Sequence, residues 1–194
     1  VRDGVLDEKY VDEAVERVLN VIQKFTENRK KDPDFFLGAQ HHQARKIARE
    51  SAVLLKNDGV LPLKSKGKIA FIGAFAETPR YQGGGSSHIN PTRVDVALEA
   101  IRTLASERGG RVDFAAGFPL DADANSTAGA LLEAALTAAR AADVAVVFAG
   151  LAEPDESEGF DRETLGLPSV QVELIRAVAA ASPATIVVLS NGGV

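Results

Sequence analysis

At 194 residues, 45% hydrophobic and 25% charged, the chain has the size and balance of one globular domain with attached pieces, which sets disorder aside. No apolar run nears the roughly 20 residues of a spanning helix, so no membrane partner is expected. A net charge of -5 without clustered Lys and Arg argues against a nucleic-acid partner as well. The absence of cysteine excludes disulfides, thiolate metal sites and a cysteine nucleophile.

Val11, Ala14, Val15, Val18, Leu19 and Ile22 recur at helical spacing with charges between them, predicting an amphipathic helix over 8–26 with Asp7 as its N-cap. Residues 28–38 are polar, contain Pro33 and lack periodicity apart from Phe35 and Phe36, which predicts a linker and a domain boundary near 38. A second helix is expected over 41–57, burying Ala44, Ile47, Ala48, Ser51, Leu54 and Leu55 and stopped by Asn57-Asp58-Gly59. Four short β-branched or aromatic runs follow, Ile69–Ile72, Val112–Ala115, Val144–Phe148 and Ile186–Leu189, with helical patterns over 94–106, 128–142 and 170–181 between them.

Strands alternating with helices of this length predict βαβ units, hence a three-layer α/β/α sandwich on a mainly parallel, flavodoxin-like sheet. The chain starts at Val1, has no methionine and stops three residues after Asn191, before a helix can follow the last strand. It therefore reads as a piece of something longer, with the sheet truncated at its C-terminal end. A bare strand edge invites association of two copies.

In parallel sheets, ligand-facing loops follow the C-terminal ends of strands. Two such loops carry chemistry. The first, Arg80–Pro91, contains Gly83-Gly84-Gly85, too far past its strand for a dinucleotide fingerprint and not followed directly by a helix. The second sets Glu153, Asp155, Glu156 and Glu158 within six residues. A general acid working near neutral pH needs a raised pKa, and neighbouring carboxylates supply that by penalising the ionised form. Arg162 pulls the other way by pairing with Asp161. A solvated acidic loop is the plainer alternative, weighed against by the constraints of Pro154 and Gly159 and by the apolar Phe160. Asp121–Asn125 resembles a calcium loop but has Ser126 and Leu132 where glycine and glutamate are required, so Asn125 or Ser126 is expected to cap the next helix. His41 and His42 lack identifiable co-ligands, and no metal or cofactor is expected.

Several stretches together, Glu156-Ser-Glu-Gly-Phe-Asp-Arg162, Ala48-Arg-Glu-Ser-Ala-Val-Leu-Leu-Lys-Asn-Asp-Gly-Val-Leu-Pro-Leu63, Tyr81-Gln-Gly-Gly-Gly-Ser-Ser-His-Ile-Asn-Pro91 and Leu167-Pro168, resemble the second domain of family 3 glycoside hydrolases of the bacterial β-glucosidase type. The resemblance runs from about Val11 to the end. It implies a retaining exo-glycosidase whose active site lies between a (β/α)8 barrel and this sandwich, the barrel supplying an aspartate nucleophile in a Ser-Asp-Trp type motif. This chain has no tryptophan, so the resemblance makes residues 1–38 the last barrel helix plus linker, and 39–194 the sandwich. The acid/base glutamate of the family's Glu-Gly-x-Asp-Arg motif falls on Glu158, with Glu156, Asp161 and Arg162 in support. Gln82, Ser86, Ser87 and His88 become sugar or interdomain contacts. The implied partners are a β-glucoside or oligosaccharide substrate and the barrel, and the isolated chain is expected to be inactive. A non-catalytic carbohydrate-binding or regulatory module and a β-xylosidase of the same family remain as alternatives.

Overall fold

The computed structural model describes residues 1–30, 35–63, 66–120, 127–159 and 161–192. Pro33, Asp121–Ser126 and Phe160, which carried the linker, calcium-loop, capping and aromatic arguments, lie outside the described residues. The chain divides into two compact units, Val1–Val53 and Leu54–Val194.

The first unit holds helices α1 (Glu8–Asn28) and α2 (Leu37–Glu50). Asp7 caps α1 as predicted, its carboxylate accepting the Lys9 N–H at 3.0 Å. The apolar stripe that specifies this helix stays uncovered, with Val15, Val18, Leu19, Ile22 and Phe25 all exposed. α2 differs from expectation at both ends. It ends at Glu50 with Ser51 as its C-cap, the Ser51 amide donating to the Ile47 and Ala48 carbonyls and the hydroxyl to that of Ile47 at 2.8 Å. Asn57 therefore stops no helix. Its side chain closes a turn of its own, Oδ1 accepting the amides of Gly59 and Leu61 at 3.1 Å each. None of the residues expected to be buried along this stretch is buried; Ile47, Leu54 and Leu55 are exposed.

The second unit is the predicted sandwich. Strands β1 (Lys68–Ile72), β2 (Arg111–Ala115), β3 (Val144–Gly150) and β4 (Thr185–Ser190) form one parallel sheet in the order β2-β1-β3-β4. Helices α3 (Ala97–Glu107), α4 (Ala128–Arg140) and α5 (Ser169–Ala181) link them. α3 begins three residues later than the sequence pattern suggests. Val94 and Val96 flank Asp95, and Val96 is extended (φ −105°, ψ 125°), as suits a β-branched side chain that loses rotamer freedom in a helix.

Strand alternation sends side chains to opposite faces. Ala70, Ile72, Ala145 and Val147 pack under α4 and α5 against Ala135, Leu136, Ala139, Leu174 and Val178. Phe71 and Val146 pack on the other face with Leu98 of α3, joined by half-buried Val112, Phe114, Ile186 and Val188. The small alanines of β1, β3 and α4 let a helix lie close to the sheet, while Phe71 and Phe148 fill the second face with ring centroids 5.1 Å apart. Because β1 and β3 are parallel neighbours, the segments that leave their C-terminal ends must emerge side by side.

Candidate active site

The two loops singled out in the sequence meet. Gly84 and Ser157 form an isolated parallel bridge, and the Gly84 amide donates to the Glu156 carbonyl at 3.5 Å. Arg80 ties them further. Its Nε donates to the Leu151 carbonyl at 3.0 Å and its Nη2 to that of Glu156 at 3.1 Å, so one half-buried guanidinium fixes the glycine-rich loop against both ends of the acidic turn.

Beyond the bridge, Glu158 points at the 3₁₀ turn Gly85–Ser87. The Ser86 amide donates to Glu158 Oε2 at 2.6 Å, and the Ser86 hydroxyl donates to the same oxygen. Glycine is required opposite it: Gly85 has φ +85°, and a Cβ there would collide with the Glu158 Cβ and lie 2.8 Å from its Oε2. At Gly84 an added Cβ would lie 2.7 Å from Ser157 Oγ and 2.9 Å from Glu153 Cγ. The glycine run is thus a seat for the acidic loop.

The four clustered carboxylates go separate ways. Glu156 turns to the end of β4, accepting the Gly192 amide at 2.9 and 3.1 Å through its two oxygens. Asp155 accepts the Ala152 amide at 3.1 Å and closes its own turn. Glu153 lies along Gly84. The expectation that crowding raises the pKa of the acid is therefore corrected. The Ser86 hydroxyl, and after it the Ser86 amide, hold the exposed Glu158 carboxyl below the ordinary glutamate range, because hydrogen bonds donated to a carboxylate favour its ionised form. Among the described residues no ion pair joins Asp161 to Arg162, and no group of acidic or histidine side chains is arranged to hold a metal.

The residues expected to bind sugar have partners within the two loops or line a cleft beside them. Gln82 pairs with the backbone of Ile89 through both ends of its amide, at 3.0 and 3.3 Å, closing the glycine loop on itself. Ser87 donates to the Gly83 and Gly84 carbonyls at 3.4 Å. Ser86 spends its hydroxyl on Glu158. His88 and Gln82 line an open cleft of about 730 Å³ together with Phe75, Tyr81, Leu120 and Ser157. Two participants escaped the sequence reading. Arg80 sits between a strand end and a glycine run, a placement that could have flagged it. Gln171 lies in the apolar pattern of α5, yet its buried Oε1 accepts the Gly150 amide at 2.8 Å and fixes where the acidic loop leaves the sheet.

Residues 52–194 match the Glycosyl hydrolase family 3 C-terminal domain. The chain is 47% identical over 193 residues to thermostable beta-glucosidase B of Acetivibrio thermocellus, covering 99% of this chain and 25% of that protein. It is 42% identical over 205 residues to an exo-alpha-(1->6)-L-arabinopyranosidase of Bifidobacterium longum, covering 100% of this chain and 26% of that protein. The crystal structure of a GH3 beta-glucosidase from Bifidobacterium adolescentis superposes with a TM-score of 0.83 at 43% identity, covering all of this chain and 28% of that one. The chain thus spans about a quarter of the length of the curated relatives it matches.

Proposed function

The chain belongs to glycoside hydrolase family 3, and from that premise we propose that it contributes the general acid/base, Glu158, to a retaining exo-acting glycosidase that hydrolyses terminal β-D-glucosides. The observation that carries this reading is the state of Glu158. It is exposed at the C-terminal edge of a parallel sheet, held in place by neutral donors, on a loop where Asp155 and Glu156 are engaged elsewhere.

In the proposed reaction, a barrel aspartate attacks the anomeric carbon and the bond to the bridging oxygen breaks. Glu158 gives that oxygen its proton, and the sugar remains esterified to the aspartate. Glu158, now ionised, then takes a proton from the water that attacks the anomeric carbon and frees the aspartate. Retention needs the two carboxyl groups about 5–5.5 Å apart. The clamp seen here suits the second half of this cycle, in which the group is a base. For the first half, closure against a barrel and a bound sugar would remove water from Glu158, and desolvation raises a carboxyl pKa. Residues 1–38 fit the last helix of that barrel with its linker, since the apolar stripe of α1 is uncovered. Glu156 acts in support by anchoring its loop to the end of β4.

The test is Glu158→Ala in an enzyme containing both domains. Hydrolysis of an aryl β-glucoside with a poor leaving group should fall by about 10²–10⁴-fold, the usual contribution of acid–base catalysis. A good leaving group should lose far less in the first step, with azide restoring the second. Equal losses on both, without azide rescue, would remove Glu158 from the role. The isolated 194-residue chain should hydrolyse none of these substrates. Aryl β-glucoside, β-xyloside and α-L-arabinopyranoside, compared on the complete enzyme, rank the sugars; faster turnover of either pentoside would replace the glucoside assignment.

A further inference from the structure

We propose that Ser86 is the positioning residue of the acid/base and that it selects which carboxyl oxygen handles the proton. Its backbone amide and its hydroxyl converge on Oε2 of Glu158. An oxygen that already accepts two hydrogen bonds has little lone-pair density left for a proton. Oε1 is then the oxygen on which the proton sits in the acid form, and the one from which it leaves and to which it returns. The inference rests on Glu158 being the acid/base, and it assigns to Ser86 a role different from sugar binding.

The surroundings make the clamp specific. Gly85 admits the glutamate so closely that any side chain at 85 would displace it. From the acidic loop, Glu153 lies along Gly84, Asp155 holds the Ala152 amide and Glu156 holds the Gly192 amide. From the glycine-rich loop, Arg80 is directed at the Leu151 and Glu156 carbonyls, and His88 caps the same 3₁₀ turn through its backbone, its amide donating to the Gly85 carbonyl at 3.0 Å. Ser86 therefore governs both the orientation of Glu158 and the balance between its protonated and ionised forms. The lowered Glu158 pKa, caused first by the Ser86 hydroxyl, agrees with this arrangement.

The decisive measurement is a carboxyl-detected NMR titration of the ¹³C-glutamate-labelled 194-residue chain. Glu158 should titrate below ordinary glutamates, and the Ser86 amide shift should follow the same midpoint. Ser86→Ala removes the hydroxyl alone, so the Glu158 midpoint should move upward, and Ser86→Thr should bring it back. In the two-domain enzyme, Ser86→Ala should lower kcat/KM for a poor leaving group about 10-fold, a fraction of what loss of general acid–base catalysis costs. The basic limb of its pH profile should shift upward with the NMR midpoint. A Ser86 amide that ignores the Glu158 titration overturns the proposal, as does a midpoint unmoved by Ser86→Ala in a natively folded variant. Failed azide rescue of Glu158→Ala would instead strike the assignment of Glu158 as acid/base and leave these titrations standing.

Discussion

Asp113, in strand β2, lies between two cations, with Lys68 Nζ at 2.9 Å and Arg111 Nε at 3.0 Å. Glu158, beyond the C-terminal end of β3, meets the amide and hydroxyl of Ser86. Both carboxyls are held below their ordinary values, the first chiefly by the hydrogen bond from Lys68, the second by the hydroxyl of Ser86. The difference lies in what each carboxylate keeps. Asp113 is neutralised by its neighbours and joins β1 to β2, and Asp143 adds a further tie at the same end by accepting the Lys68 amide at 2.8 Å. Glu158 is oriented without being neutralised, and among the described residues no hydrogen bond or ion pair engages its second oxygen. One sheet thus has an end where an acid is paired with cations and an end where an exposed acid is held by neutral donors.

The comparison predicts that damage can be global or confined to one end. Leu174→Ala, which opens a cavity under α5 at a residue 1% exposed, should cost about 2–5 kcal/mol and lower the denaturant midpoint of both ends together. Separate transitions at the two ends would break the picture of one cooperative sandwich. Arg80→Ala removes two charge-assisted bonds to carbonyls and should cost about 1–3 kcal/mol. Its effect should be local. Amide exchange at Gly84 and Ser86 should accelerate while that of Ile69–Ile72 stays as it was, and acceleration throughout the sheet would show that the loops are not a separable layer.

The smallest effect belongs to the opposite end. Asp113 has a folded pKa below its ordinary value of 3.8, so its contribution is fully present above that value and fades as the pH falls through the lower folded value. Its partly exposed ion pairs limit that contribution to about 1 kcal/mol or less. Asp113→Asn should therefore be slightly less stable than the parent at neutral pH and converge with it in acid. A gap that persists in acid would mean that packing, and not charge, sets the role of Asp113.

Much of the sheet could be read from local pattern. Ile69–Ile72 and Val144–Phe148 are short runs that cannot bury their side chains except in a sheet covered on both faces, and glycine at 73 and 150 marks where each must turn away. α2 shows the limit of such reading. Its apolar spacing continues past residue 50, but the helix ends there and Leu54 and Leu55 are exposed; periodicity carries no information about whether a surface exists to cover such side chains. The acidic loop shows a deeper limit. Crowding in sequence suggested mutual repulsion, whereas Glu156 and Glu158 turn to partners 36 and 72 residues away.

Sequence by itself determined the α/β architecture, which follows from short-range periodicity, and the family, through stretches that resemble it; the proposal for Glu158 rests on that resemblance. The fates of Glu156 and Glu158 were decided by tertiary structure alone. A charge's protonation depends on what lies within a few ångströms of it, and at Glu158 that neighbour is Ser86, brought there by the parallel pairing of β1 with β3.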